Sequence, residues 1–408
     1  MDMRQIRGKE IAQKGGIEQG MKGWIVPAQG GSGTYIVKMM GVNSTCTCPD
    51  HQTRGVKCKH QWAVQYFIQK TRNADGSTTV TKTMRVTYSQ DWKAYTTAQT
   101  SEIGLFDQLL RDLVENVPEP EQKMGRPRLT TRDLLFCSIQ KVYSQLSSRR
   151  AHTLYKNAKQ REQIAKAPNY NAINMFLNHE EVTPILQKLL ITSALPLKSV
   201  ETAFAPDSTG FSTTRFGQWM VEKYGMKKYH HWIKAHLLVG TKTNIIATAR
   251  ITEENAGDSP QFQPMILEAH NSGFNIQEIM ADKGYLSRDN YDTANSIGAV
   301  AYIPFKSDTS GKARGSFTWK KMYYYFMLKR DEFLRHYHQR SNVETAIQMV
   351  KSKFGEKLKS KNYTAQKNEL LCKLIAHNIV VLIHEMHELN IKPDFNADNL
   401  LLKSATCY

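Results

Sequence analysis

Tyr337–Lys351 reads YHQRSNVETAIQMVK, and the spacing of its polar residues decides how the chain is understood. Tyr337, Arg340, Glu344 and Lys351 follow the pattern Y-x2-R-x3-E-x6-K. On one continuous helix turning about 100° per residue, the last three lie near 300°, 340° and 320° from Tyr337. The four side chains then share an arc of roughly 60°: a carboxylate, two cations and a phenol. A core-facing stripe is apolar, and a solvent-facing one mixes its charges loosely. A stripe that holds a metal and grips phosphates needs this composition.

The stripe resembles the Y-R-E-K signature of insertion-sequence transposases of the DDE class. That resemblance implies two more acidic residues upstream, each at the end of a strand. Asp207 stands in TAFAPDSTGFS, where a short apolar approach ends in Asp-Ser-Thr-Gly. Asp282 stands in FNIQEIMADKGYLS, where Ile276 to Ala281 reads as a strand and Gly284 as the turn after it. Neighbouring strands lie about 4.8 Å apart, so carboxylates at their ends converge, and a helix packed across them delivers a third. Asp207, Asp282 and Glu344 suit two hard divalent cations, Mg²⁺ or Mn²⁺. Two such ions about 3.5–4 Å apart activate a water or hydroxyl and stabilise the leaving oxygen of a phosphodiester. Taken singly, each acid has an ordinary reading: an Asp before Gly is turn chemistry, and Glu344 is a solvated helix residue. Their order and contexts make them a set. Asp258, in ENAGDSPQF, competes, but Ser259 and Pro260 read as an N-cap and first helical residue, which assigns Asp258 to a helix start. Asp289, Asp331 and Glu332 sit among polar residues and need no special role.

Charge agrees with a polyanionic partner. The chain carries 55 Lys+Arg against 37 Asp+Glu, a formal net charge of +18. Binding to nucleic acid by such a chain is strongly salt-dependent. Between Lys306 and Lys361 there are 14 basic and 5 acidic residues, half the total excess in one short segment beside Glu344. Within it, GSFTWKKMYYYFMLKR interleaves Phe317, Trp319, Tyr323, Tyr324 and Tyr325 with lysines. Those rings either stack on an unpaired base or pack the edge of a domain, and both readings stay open.

A second signal lies in STCTCPDHQTRGVKCKHQWAVQYF. Cys46, Cys48, Cys58 and His60 offer three thiolates and an imidazole, a tetrahedral set for one structural Zn²⁺. His51 competes as fourth ligand but breaks the paired spacing. Strands are expected at Ile25–Val26 and Tyr35–Met39 before the set, and a helix at Gln61–Gln69 after it. The C-x-C…C-x-H pattern and this layout resemble the SWIM zinc finger, a module serving DNA or protein contacts. A disulfide framework is disfavoured: no secretory signal opens the chain, and Cys137, Cys372 and Cys407 are solitary. A cytoplasmic, nucleoid-associated protein is expected, and no apolar run reaches the roughly 18 residues that span a membrane.

The fold class expected is multidomain α+β. Residues 1–72 form a small zinc-finger domain, 73–100 a linker with one strand around Met84–Tyr88, and 101–199 a helical region. Residues 200–390 form an RNase H-like α/β domain with a short basic, aromatic insertion at 306–334, and 391–408 a tail. The helical region rests on apolar residues three and four apart in FDQLLRDLV, DLLFCSIQKVYSQL and EVTPILQKLLITSAL, with Thr130 or Thr131 opening the middle helix. GRPR, Gly125 to Arg128, reads as a solvated linker or as a basic, extended segment that follows a phosphate backbone or a minor groove. From 200 onward, a hairpin turns around Thr241–Asn244. A helix at Gln261–Asn271, the Asp282 strand, a helix near 287–296 and a strand at Ala299–Pro304 follow. Only 61 residues separate Asp282 from Glu344, which departs from family members with a long β insertion there. The closing helix, NELLCKLIAHNIVVLIHEM, is apolar along one broad face and should pack on the sheet. His377 and Asn378 read as its interior polar residues.

The resemblance implies a DNA transposase that cuts phosphodiester bonds at the ends of a mobile element and joins the freed 3′-OH ends to target DNA. It implies double-stranded DNA partners (terminal inverted repeats and target), a homodimer in the synaptic complex, and end binding by the helical region. Arg340 and Lys351 would bind phosphates beside the scissile bond, Tyr337 would position the backbone, and Lys283 would touch phosphate. Two other classes remain: a domesticated, catalytically inactive zinc-dependent DNA-binding protein, and an RNase H-like nuclease without strand transfer.

Overall fold

The structure is a computed structural model. It describes the chain except residues 1, 2, 15, 21, 22, 29–32, 41, 42, 73–77, 83–90, 122, 123, 126, 127, 214–231 and 396–408. The strand expected around Met84–Tyr88, part of GRPR, Cys407 and most of the expected tail lie outside the described residues. The chain divides into two units, Met1–Gln90 and Asp91–Tyr408.

The first unit opens with helix α1 (Met3–Lys14), which the sparse apolar residues of MRQIRGKEIAQK did not announce. Strands β1 (Glu18–Gly20), β2 (Gly23–Pro27), β3 (Thr34–Met40) and β4 (Asn43–Cys46) form an antiparallel meander in sequential order. Alternation along β2 turns Trp24 and Val26 inward. A short helix α2 (Pro49–Arg54) and helix α3 (Lys59–Phe67) follow, then an antiparallel pair, β5 (Ile68–Arg72) and β6 (Thr78–Lys82). Helix α3 thus ends two residues before the expected limit, and β6 lies inside the expected linker. Trp24, Val26, Val37, Val64 and Phe67 form the core with the three cysteines. Gly8 is where α1 meets α3: a Cβ there would lie 2.5 Å from Trp62 Cβ and 2.8 Å from the Lys59 carbonyl, so only glycine permits the approach.

The second unit begins with helix α4 (Trp92–Val114), nine residues ahead of the expected helical region, because Asp91 accepts the Lys93 and Ala94 amides at 3.0 Å. Helices α5 (Thr131–Tyr143), α6 (Ser148–Gln160), α7 (Tyr170–Leu177) and α8 (Val182–Ala194) follow, α5 capped by Thr130. Then come β7 (Ala203–Ser212), β8 (Trp232–Gly240) and β9 (Ile246–Glu253), helix α9 (Ser259–Asn271), β10 (Glu278–Met280), helix α10 (Arg288–Ser296) and β11 (Val300–Tyr302). Helices α11 (Phe317–Leu328), α12 (Arg330–Tyr337), α13 (Ser341–Phe354) and α14 (Tyr363–Glu388) close the unit.

The five strands make one sheet in the order β11-β10-β7-β8-β9. Strands β7, β8 and β9 are antiparallel neighbours; β10 joins β7 in parallel on its other side, and β11 joins β10 in parallel. Helices α4–α8 and the sheet share a single hydrophobic core. Helix α14 runs through it buried continuously from Asn368 to Ile383, so the expectation of one broad apolar face on the sheet is corrected. It is enclosed by α4, α5 and α8 as well as the sheet. Its length and hydropathy would let it cross a membrane, yet 83% of its most apolar window is buried in the protein. Asn378 is an interior polar group: its Oδ1 accepts the Ile246 amide at 3.0 Å and its Nδ2 donates to the Ile246 carbonyl at 2.9 Å, imitating a strand neighbour for β9. His377 Nε2 meets the Asn244 carbonyl at 2.9 Å.

Candidate functional site

Asp207 lies in the middle of β7, not at its end. The D-S-T-G run continues to pair with β8, Asp207 opposite Leu237 and Ser212 opposite Trp232. On the other side β10 pairs only with Ala203 and Phe204. Asp207 therefore projects beyond the carboxyl end of its parallel neighbour. Asp282 lies just past that end, where it opens a 3₁₀ turn, Lys283–Tyr285, and accepts the Lys283 amide at 2.7 Å. Glu344 sits in the first turn of α13, where the helix dipole favours a negative charge. The segment after α13 is laced to β7: the Ser212 amide donates to Glu356 at 3.1 Å, and the Leu358 amide to Ser212 at 2.9 Å.

Tyr337–Lys351 is not one α-helix. Helix α12 ends at Tyr337, a 3₁₀ turn occupies His338–Arg340, and α13 starts at Ser341. The 100° step breaks there, and the four side chains divide. Arg340 faces the carboxylates, with Nη1 3.1 Å from Asp207 Oδ2 and Nη2 2.9 Å from Glu344 Oε1. Burial pushes the Asp207 carboxyl up, against the opposing pull of the Ser208 amide and Arg340. Lys351 extends over Phe211, its Nζ 5.5 Å from the ring centre, four residues beyond Asp207 on β7. Tyr337 and Lys283 meet elsewhere, lining a cleft of about 460 Å³ with Phe305, Lys306, Tyr323 and Arg330.

The aromatic insertion divides in the same way. Trp319 and Tyr323 pack on Phe305 at 5.0 and 5.3 Å, and Trp319 Nε1 donates to the Ser310 carbonyl at 3.1 Å. Phe317 and Tyr324 are exposed.

Asp258 does more than start a helix. Helix α9 begins at Ser259, one residue ahead of expectation, and the Asp258 side chain caps none of its amides. It turns to the sheet instead, 2.8 Å from Lys234 Nζ and 3.2 Å from His236 Nδ1. It also hydrogen-bonds Ser208, the neighbour of Asp207. Burial opposes its charge, but Lys234, Ser208 and His236 hold its carboxyl below the ordinary value. Sequence alone offered no signal for this contact, since 49 residues separate Ser208 from Asp258.

In the first unit the donor atoms of Cys46, Cys48, Cys58 and His60 lie within 4.8 Å of one another, and all four residues are buried. His60 Nδ1 is 3.9 Å from both Cys46 Sγ and Cys58 Sγ. Zn–S bonds near 2.3 Å and Zn–N bonds near 2.0 Å fit a cluster of this size. Hydrogen bonding led by Cys46 holds the Cys58 thiol below its ordinary value, while the same contact and burial push Cys46 up. His51 turns away, its Nδ1 2.9 Å from the Val56 carbonyl. One residue of the site went unremarked in the sequence. Buried Gln61 accepts the Cys58 amide at 2.8 Å and donates to Ser44 O at 2.6 Å and Ser44 Oγ at 2.8 Å, tying the two ligand pairs together.

Arg340 thus joins Asp207 to Glu344 beside the carboxyl end of β10, just past which Asp282 lies. Residues 198–379 match the family model described as "Transposase DDE domain". Among solved structures, the "Cryo-EM structure of piggyBac transposase synaptic complex with hairpin DNA" is similar over 73% of this chain and 79% of that one, at 10% identity and a TM-score of 0.34.

Proposed function

We propose that the chain is a metal-dependent DNA transposase of the DDE class with an RNase H-like catalytic domain and a SWIM-type zinc finger. The single observation that supports the reading is Arg340, which meets Asp207 on β7 at 3.1 Å and Glu344 on α13 at 2.9 Å, with Asp282 just past the end of the neighbouring strand β10. A position that attracts Arg340 to two carboxylates suits a hard cation, and the all-oxygen donor set fits Mg²⁺ or Mn²⁺. Bound there, two such ions would polarise the scissile phosphate and lower the pKa of the attacking water or hydroxyl.

The protein groups have separate tasks. Asp207, on a strand paired along its length with β8, and Glu344, on a helix laced to that strand, hold fixed negative charge where the cations bind. Arg340 neutralises that charge before DNA arrives and then moves to a backbone phosphate. Lys351, over Phe211, and Lys283 and Tyr337, in the separate cleft beside Phe305, hold the DNA backbone. Cys46, Cys48, Cys58 and His60 hold one structural Zn²⁺. The helical segment before β7 binds element ends, and pairing of two ends calls for a homodimer.

The test is movement of a marker flanked by the inverted repeats that border the coding sequence. Wild type should excise and reinsert it. Cleavage without joining of a pre-cut 3′-OH end would leave a nuclease in place of a transposase.

A further inference from the structure

Among the helices ahead of the sheet, one carries a surface that the site above does not use. Helices α5 and α6 are joined by only four residues, 144–147, with Gln145 at φ 55° in the left-handed region. A tight turn with one left-handed residue between two packed helices is shared by αα-hairpins and helix-turn-helix motifs. Its geometry is held from outside. Lys141 Nζ on α5 and Ser148 Oγ on α6 both donate to Asn174 Oδ1 on α7, at 3.0 and 2.9 Å. The Gln145 side chain reaches the Lys353 carbonyl at the end of α13.

Helix α6, SRRAHTLYKNAKQ, divides sharply around its axis. Ala151, Tyr155 and Ala158 are its buried strip. At about 100° per residue, Arg149, Thr153, Lys156 and Gln160 lie opposite that strip, flanked by Arg150 and Asn157 on one side and Lys159 on the other. All seven are exposed. No acidic residue occurs from Ser144 to Arg161. A merely solvated helix face mixes signs and forms i, i+4 ion pairs, and this one has no partner of opposite charge along its own length. The small Ala151 and Ala158 seat the helix close to the core.

We propose that α5, the turn and α6 form a helix-turn-helix whose second helix enters the major groove of double-stranded DNA. Arg150, Lys156 and Lys159 bind phosphates at the groove walls, and Thr153, Asn157 and Gln160 face the base edges. This inference rests on the DNA-acting reading above and names the element that holds the DNA. The groove is about 12 Å wide and admits one helix, and Asn and Gln side chains are the ones that pair with adenine edges. Arg149 to Gln160 spans about 16 Å, roughly five base pairs.

The test uses the full chain without added divalent metal and a labelled 30-base-pair duplex of random sequence, titrated between 50 and 300 mM KCl. Arg150→Gln/Lys156→Gln should weaken binding at least tenfold at 100 mM salt. It should also flatten the slope of log K against log salt by roughly 1.8, about 0.9 per lost phosphate contact. Unchanged affinity and slope, with thermal unfolding intact, would overturn the proposal. An equal loss on a 30-nucleotide single strand would contradict groove binding. In a selection from a randomised duplex pool, Asn157→Ala/Gln160→Ala should lose the wild-type preference at one or two positions while keeping random-duplex affinity. The same preference in variant and wild type would overturn the base-facing role. Wild type that binds no duplex at all would sink the transposase reading as well, whereas binding that survives the α6 changes contradicts this inference alone.

Discussion

One guanidinium serves two carboxylates: Arg340 lies 3.1 Å from Asp207 and 2.9 Å from Glu344, bridging strand β7 and helix α13. On the metal-dependent reading proposed above, Arg340 and a divalent cation compete for the same oxygens. Replacing Arg340 by Gln should tighten Mn²⁺ binding in the absence of DNA by up to about tenfold, which corresponds to 1.4 kcal/mol. DNA cleavage by the same variant should fall at least tenfold, because the arginine's phosphate contact is gone. Titration calorimetry with Mn²⁺ and a cleavage assay check the two halves separately. A weaker Mn²⁺ affinity in the variant would contradict the competition.

Metal removal should act on the first unit through Cys46, Cys48, Cys58 and His60. One zinc per chain is expected on release by a thiol-reactive reagent, and Cys58→Ser should abolish it. Structural zinc contributes on the order of 10 kcal/mol to small domains, so the variant should also lose the protease resistance of residues 1–72. His51→Ala, which alters a side chain bonded to the Val56 carbonyl, should keep its zinc.

Gln61 makes three hydrogen bonds that join Ser44 to Cys58. Gln61→Met keeps the volume but leaves the Cys58 amide and Ser44 carbonyl without partners in a buried place. A loss of about 2–4 kcal/mol is expected. Denaturant unfolding followed by the fluorescence of Trp24 would measure it.

Glu385 gives the second unit a pH dependence of known sign. Burial, then Glu388 and Glu201, push its carboxyl up to about 7 from 4.5. Between those values the folded chain keeps a proton that the unfolded chain has released. Its contribution to stability is therefore complete below about pH 4.5 and is lost as pH rises through 7. Glu385→Gln cannot ionise, so it should melt roughly 3–6 °C above wild type at pH 8 and no higher at pH 4.5. Equal melting temperatures at pH 8 would show that Glu385 is not strained.

The elements that sequence made legible are those set by local rules. The alternation in Gly23–Pro27, the Thr130 cap and the hairpin after Gly240 each depend on a few neighbouring residues, as does the C-x-C…C-x-H spacing. What was hidden depends on contacts across long separations. The break at His338–Arg340 cannot be read from a pattern that a straight helix satisfies equally well, so the shared arc of four side chains became two groups. The mid-strand position of Asp207 follows from the pairing of β7 with β8, which runs on to Ser212. Asp258 looked like a helix start because its true partners, Lys234 and His236, lie on another strand. Helix α1 escaped because its packing rests on Gly8, a residue that argues against a helix by propensity alone.

The most direct test of the catalytic reading is Mn²⁺-dependent cleavage of a duplex carrying the flanking inverted repeat, wild type against Glu344→Gln. The substitution keeps the shape and removes the charge. Cleavage by wild type, with a loss of at least a thousandfold in the variant and unchanged DNA affinity, is the expected result. Full cleavage by Glu344→Gln would show that the third carboxylate has been wrongly assigned.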